Sequence, residues 1–337
     1  MRIALVILNW NGRHLLERYL PRVISATTYP EADIIVADNA SDDDSVPYLK
    51  ASFPDISVIQ LDNNYGFAGG YNKAIKSLDE KYEAVLLLNS DIAPRHGWIE
   101  PLVRILSEQK DVVACAPKIL DDKSPDYFEY AGAAGGFLDM FGYPFCRGRI
   151  FDTIEKDFGQ YNNNIDCLWV SGASLLIRRK EYLESGGLDE DFFAHMEEID
   201  LCWRLRNAGW RIIACGKSSV QHLGGATLNK SNPHKTYLNF RNNLWMMIKN
   251  YNSPLWPLVI LIRLILDGIA GIRYIVKGEW RFCRAIIKAH LHLYASLPKN
   301  IKKRNELKDA RTSKSLPIEI ARRCIVIDYH LFGRKTF

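Results

Sequence analysis

Four apolar runs, IALVIL (3–8), DIIVAD (33–38), ISVIQL (56–61) and EAVLLLN (83–89), each stop abruptly at small or polar residues. Between them lie stretches with helical spacing: HLLERYLPRVISA (14–26), SVPYLKASF (45–53) and GGYNKAIKSL (69–78). A short, continuous apolar run needs cover on both faces, and a helix between two such runs lets successive strands lie parallel. The alternation continues through WIEPLVRILSE (98–108) and DVVACAP (111–117). The expected fold class is therefore α/β: a doubly wound, mainly parallel sheet with flanking helices. Such sheets bind ligands outside the carboxyl ends of their strands. The residues on which the strands stop are thus the first place to look for chemistry.

The first run stops at Asn9-Trp10-Asn11-Gly12, the second at Asp38-Asn39 and the fourth at Asn89-Ser90-Asp91, while NNYGFAGGYN (63–72) follows the third. Asn, Ser and Asp also make ordinary turns by bonding their own backbone, so a single triplet suits a loop equally well. Four consecutive strand ends of this kind point to a site. Asp38 suits a base or ribose, and the amides of a glycine-rich turn suit an anion. GFAGG is not G-x-G-x-x-G, so that turn is a weak signal by itself.

Residues 121–165, rich in Gly, Asp, Asn and aromatics, break the rhythm and read as an excursion across the binding face. Regular structure resumes at DCLWVSGASLLIRR (166–179), and RIIAC (211–215) reads as a strand. Between them, FFAHMEEIDLCWRLRNAGW (192–210) opens with acids and continues as an amphipathic helix, in which Asp200 and Arg204 can pair at i,i+4. Glu197 and Glu198 are also the acids that a helix dipole favours in a first turn. VQHLGGAT (220–227) sets His222 beside two glycines, and a lone histidine is more often structural than a ligand.

Charge divides the chain. Residues 277–337 carry 15 Lys/Arg against 5 Asp/Glu, although the whole chain is only +5. A basic end behind a mildly acidic body suits an anionic surface. Leu255–Val276 is strongly apolar but broken by Arg263, Asp267 and Arg273, so its charge-free part is too short to span a bilayer. On a helical projection Arg263, Asp267, Arg273, Lys277, Arg281, Arg284 and Lys288 share an arc of about 120°. That reads as one or two helices lying in a membrane interface over residues 255–290, with packing on the protein's own core as the competing reading. The seven cysteines form no CxxC, which fits reduced thiols in the cytosol. The first apolar run is too short for a signal peptide.

In this order, ILNWNG, VADNASDDDS, NNYGFAGGYN, LLLNSD, WVSGASLLIRR, FFAHMEEIDLCWRLRNAGW and VQHLGG resemble glycosyltransferase family 2, most closely its rhamnosyltransferase-like branch. The resemblance covers residues 1–250 and implies the GT-A fold, with a nucleotide-binding half (1–117), an acceptor-binding half (118–250) and the basic amphipathic tail (251–337) outside it. It implies an inverting, metal-dependent transfer of a sugar, rhamnose being one candidate, from a nucleotide-diphosphate donor to a saccharide or lipid-linked acceptor. The setting would be bacterial surface polysaccharide synthesis at the cytoplasmic face of the membrane.

By the same resemblance Asn9, Asn11 and Asp38 line the nucleoside pocket, and Asn64, Gly66, Gly69, Asn72, Asn89 and Ser90 complete the donor side. Asp91 ends the family's DxD element and, with His222, would hold Mg²⁺ or Mn²⁺. Asn89 stands where that element usually has its first acid. Trp169, Gly172 and Glu197 would serve the acceptor, and Glu198 would be the catalytic base. A sugar-nucleotide nucleotidyltransferase would want a phosphate loop directly after the first strand, which NWNGRHLLERY does not supply. An inactive scaffold would have no need of Asp91, Glu198 and His222. A nucleic-acid binder would need a module that the tail lacks.

Overall fold

The computed structural model describes residues 1–130, 132–224, 232–312 and 316–337. In the first half β1 (Ile3–Asn9), α1 (Arg13–Ala26), β2 (Ala32–Asp38), α2 (Ser45–Ser52), β3 (Ser57–Gln60), α3 (Gly66–Ser77) and β4 (Ala84–Asn89) follow the expected alternation. The short β5 (Ile92–Pro94), α4 (Glu100–Glu108) and β6 (Val112–Asp121) come next. The excursion folds into β7 (Gly136–Asp139), β8 (Pro144–Cys146), β9 (Arg149–Ile150) and β10 (Thr153–Ile154). Then come β11 (Ile165–Asp166), β12 (Ser174–Arg178), α5 (Arg179–Glu184), α6 (Glu197–Asn207) and β13 (Arg211–His222). The chain continues through α7 (Pro233–Asn250), α8 (Trp256–Val276) and α9 (Trp280–Glu306) to β14 (Ile320–Ala321) and α10 (Ile325–His330).

The large sheet runs β11-β13-β6-β12-β4-β1-β2-β3, with β5 paired to β13. Strands β4, β1, β2 and β3 are parallel neighbours, as the alternation requires. β12 departs from that pattern, inserting antiparallel between β4 and β6. The apolar runs are continuous because both faces are covered. Ile3, Leu5 and Ile7 join Leu86 and Leu88 in the core that holds Leu16 and Leu20 of α1 and Leu102 of α4. Ala4, Val6, Val85 and Leu87 point the other way, into the core that holds Tyr71 and Ile75 of α3 and Ile199 of α6. Strand residues of opposite parity thus feed opposite layers.

The excursion forms a second, five-stranded sheet, β10-β9-β8-β7-β14, whose last strand comes from the chain's far end. The tail also lends Val259, Ile260, Leu293 and Ile320 to the core of the body. α8 and α9 are therefore packed helices on one side.

Two residues of the polar arc read from the sequence turn inward, while Arg273, Lys277, Arg281, Arg284 and Lys288 stay exposed. Arg263 and Asp267 are buried, and Arg263 donates to Asp267 Oδ1 at 2.8 Å, to Asn243 Oδ1 at 2.6 Å and to the Phe141 carbonyl at 2.8 Å. Its guanidinium lies over the Tyr143 ring. The outward face of α8 is instead Leu258, Leu261, Ile265, Ile269, Ile272 and Val276. Among the described residues no helix is long and apolar enough to cross a membrane.

Arg263→Ala should destabilise the protein by about 3–5 kcal/mol in urea unfolding, because it strands Asp267 as a buried charge. A solvent-facing arginine at this position would give a change near zero.

Candidate active site

The first part of the candidate site is built from strand ends that satisfy one another. Asn9, fully buried, donates from Nδ2 to Asp38 Oδ1 at 3.0 Å and to Ser41 Oγ at 3.2 Å. Asp38 also accepts from the Ser41 amide at 3.0 Å and hydroxyl at 2.6 Å. Asp38 thus spends its carboxylate on shaping the turn, with little left for a ligand. Asn9 Oδ1 has no partner, and a Cβ on Gly12 would sit 2.5 Å from it. Asn11 takes a left-handed φ of 50° and accepts from the Asp42 amide. Between the two asparagines Trp10 stands exposed at the strand's carboxyl end.

The glycine-rich stretch departs from the expected turn. α3 begins at Gly66, so Gly69 and Gly70 are helical. They are small for packing: a Cβ on Gly69 would meet Tyr65 at 2.9 Å and one on Gly70 would meet Leu8 at 2.8 Å. Asn39 fastens the approach, donating to Asn64 Oδ1 and the Gly66 carbonyl while accepting from the Tyr65 amide. Asn64 in turn accepts from the Gly66 amide, whose residue needs its φ of +67°. Asn72 lies away from this edge. Its amide bonds Tyr182, both backbone groups of Leu188, and Glu190, so it ties α3 to the next lobe.

The second part of the site lies where β4 ends. β5 pairs antiparallel with β13, setting His222 opposite Ile92 and next to Asp91. Asp91 and His222 are both buried, with Oδ1 3.1 Å from Nε2. Glu129 Oε2 lies 3.6 Å from His222 Nδ1 on the ring's other side. Burial pushes the imidazole down, but the bonds to Asp91 and Glu129 outweigh it and raise its pKa to about 10. Asn89 Nδ2 approaches His222 Nε2 at 3.4 Å, and Ser90 is half-buried beside it. Gly224 has φ +63° and a Cβ there would come 2.8 Å from Glu129 Oε1, which accounts for one glycine of HLGG. Gly225 lies outside the described residues. The Asp91 carboxylate is the oxygen donor that Mg²⁺ or Mn²⁺ accepts, and His222 would add a nitrogen once the ion displaces its proton, so the pair fits the ion through Asp91 first. Among the described residues no group of three or more such side chains could hold a metal ion.

The third part is the start of α6. Gly172 approaches both other walls: a Cβ there would lie 3.3 Å from Glu198 Cβ and 3.5 Å from Phe67 of α3. The neighbouring Ala173 carbonyl accepts from the Asn89 amide, joining the acid side to the Asn89–Asp91 element. Glu198 is half-buried and Glu197 fully buried, each with an unpartnered inner oxygen, Oε2. Burial raises the pKa of both, and in Glu197 the adjacent Glu198 charge adds to it. Asp200 is consumed by Arg204 at 2.9 Å, as the i,i+4 spacing suggests. Trp169 sits behind the acceptor side, only 3% exposed; its indole covers Gly136 and donates to the Phe137 carbonyl. It is the strut between the two sheets.

Residues 4–170 match the family model described as Glycosyl transferase family 2. Over 316 residues the chain is 24% identical to the N-acetylglucosaminyl-diphospho-decaprenol L-rhamnosyltransferase of Mycobacterium tuberculosis, covering 89% of this chain and 95% of that one. It is 28% identical over 153 residues to the rhamnosyltransferase WbbL of Escherichia coli, 44% of this chain and 57% of the relative. The chain belongs to glycosyltransferase family 2. Among solved structures it is similar to GalNAc-T7 with UDP, GalNAc and Mn²⁺ (TM-score 0.57, 16% identity, 74% of this chain and 48% of that one). S. aureus TarS 1–349 matches with TM-score 0.53 and 12% identity, over 92% and 91% of the two chains. These likenesses give the glycosyltransferase its GT-A-like α/β fold.

Sequence reasoning gave no role in this candidate site to Ser41 or Glu129, and quoted Trp10 and Asn39 only as strand-end residues. Ser41 and Asn39 lie in the quoted VADNAS stretch and carried a signal. Glu129 comes from the excursion, where nothing in FEYAGAAGG singles it out. Gly172→Ala should lower kcat by about tenfold, since the added methyl must push Glu198 aside, while donor KM stays near the parent value. Steady-state kinetics with both substrates varied would check it.

Proposed function

We propose that this glycosyltransferase is inverting and metal-dependent. It would move a sugar, with L-rhamnose the first candidate, from a nucleotide-diphosphate donor to a lipid-linked saccharide acceptor at a membrane surface. The observation that carries the reading is the placement of the Asp91–His222 pair and of Glu198, whose inner oxygen is uncommitted, on one edge of the sheet. The name of the mycobacterial relative, which the chain matches nearly end to end, supports the donor sugar and a lipid-diphosphate acceptor.

The nucleoside side rests on the Asn9–Asp38–Ser41 turn, with Trp10 exposed beside it. Asp91 and His222 would hold a divalent ion that neutralises charge on the departing diphosphate. Glu198 takes the proton of the acceptor hydroxyl as that oxygen attacks the anomeric carbon from the side opposite the diphosphate. The C–O bond to the acceptor forms as the bond to the phosphate oxygen breaks, and the configuration inverts. Glu197 lies deeper and orients the acceptor.

Membrane attachment is supported by the inside-out character of α8. Its apolar face and Trp280, Ile287, Leu291 and Tyr294 of α9 are exposed together with Arg273, Lys277, Arg281, Arg284 and Lys288. Exposed apolar surface rimmed by cations suits an anionic lipid interface.

Variant kinetics, metal titration, a pH profile and vesicle binding test the reading. Glu198→Gln should keep donor and Mn²⁺ affinity but lower turnover by a factor on the order of 10², whereas Asp91→Ala should lose metal binding in a titration without unfolding. Because burial raises the Glu198 pKa, the acid limb of parent kcat should lie above the ordinary carboxylate range, with activity lost as pH falls through it. Full turnover of Glu198→Gln would sink the base role. For the membrane, R281E/R284E/K288E should weaken binding to anionic vesicles by about 1 kcal/mol per charge removed, and unchanged binding would point to another partner for this face.

A further inference from the structure

The four residues before the acid pair follow a path that ordinary side chains avoid. Phe193 has φ +65°, His195 +70° and Met196 +75°, and none of them is glycine, asparagine or aspartate. Such a path persists only where the surroundings over-determine it, and it is typical of segments under functional constraint.

What holds it is one dipeptide of α7. Asn242, fully buried, donates from Nδ2 to three carbonyls in turn: Phe192 at 2.9 Å, Ala194 at 2.8 Å and His195 at 2.8 Å. Its Oδ1 accepts from Arg241 Nε at 2.8 Å. Arg241 adds bonds to the Phe192 carbonyl at 3.0 Å and the Asp191 carbonyl at 3.3 Å, and its guanidinium lies 4.2 Å over the Trp245 ring. The next carbonyl, that of Met196, accepts from the Asp200 amide and starts α6. The direction of α6, and with it the aim of Glu198, is set at Met196. The exposed Phe193 on the same turn reaches back to within 3.9 Å of where a Cβ on Gly66 would lie, so the turn touches the donor wall as well.

We propose that Arg241 and Asn242 are the positioning residues of the catalytic base: the Asn242 amide holds 192–196 in its left-handed path, and that path aims Glu198 at the acceptor hydroxyl. Neither side chain touches a reacting atom. The inference rests on Glu198 being the base, and the test separates the two.

Asn242→Asp keeps shape but replaces the donor with oxygen facing three carbonyls. In the full-length chain it should lower transfer kcat by about tenfold or more, a size that misplacement of a catalytic group readily produces. Donor KM and Mn²⁺ affinity should stay near the parent values. As the turn loosens, water reaches Glu198, its pKa falls back toward the ordinary range, and the acid limb of kcat moves to lower pH. Arg241→Lys, which keeps the charge but loses the fork, should shift both quantities the same way by less, and it serves if Asn242→Asp does not fold. A folded Asn242→Asp with parent kcat and an unmoved acid limb would overturn the proposal. So would equal losses of kcat and donor binding, which mean that the amide only supports the fold. In the double variant with Glu198→Gln, Asn242→Asp should add little. If Glu198→Gln alone is fully active while Asn242→Asp is impaired, the base assignment falls and the turn positions another group.

Discussion

The second half of the molecule depends on a carboxylate that never meets water. Asp200 is fully buried on α6, where Arg204, Lys249 and Asn250 all donate to it, at 2.9, 2.8 and 2.7 Å. Lys249 bridges to Asp189, and Lys303 of α9 grips both Asp189 and Asp191. Arg204 turns its remaining donors to the carbonyls of Ser185 and Gly187. Removing one partner from such a cluster typically costs about 3–5 kcal/mol, because the remaining charge is stranded. The network brackets the left-handed turn: Asp189 and Asp191 precede it and Asp200 follows it. Three left-handed residues at about 1–3 kcal/mol each are sustained only because both ends are fastened this firmly.

The same network explains why the tail is not a detachable appendage. Lys299 and Lys303 of α9 hold Asp191, Arg206 of α6 pairs with Glu319, and the Thr312 amide donates to the Asn207 carbonyl. The helix that carries the acids is therefore framed by chain that comes after residue 250. On the proposed reading, the exposed face of α9 and the helix that carries Glu198 are joined by one network of ion pairs.

How much of this the sequence disclosed follows from the range of the interactions. The β/α alternation and the polar strand ends are local patterns, and β1 to β4 lie where those patterns put them. Asp200–Arg204 is one helical turn apart and equally legible. β12 was not legible as an antiparallel insertion, because an apolar run such as Leu175-Leu176-Ile177 reads alike in either direction. Asn72 and Trp169 looked like ligand contacts because their types and motif positions suit ligands. Their actual partners, Leu188 and Gly136, are set by tertiary packing. Glu129 and Asn242 reach the site across long sequence separations with no spacing to announce them.

The tail shows the limit most clearly. Periodicity located the charged stripe of α8 correctly but carries no sign: it cannot tell which face turns inward. The usual assumption sends arginine and aspartate to water. Here the inner side already holds Asn243, Tyr143 and the Phe141 carbonyl, a set of polar partners that only the assembled body provides. Once Arg263 and Asp267 have somewhere to go inside, the leucines and isoleucines have to face out. An apolar face of that length exposed to water is unfavourable unless something covers it, and the polar pair within makes the orientation irreversible without unfolding the contact. The ion pair of α8 thus fixes which surface the enzyme presents, much as the Asp200 cluster fixes where its acid points.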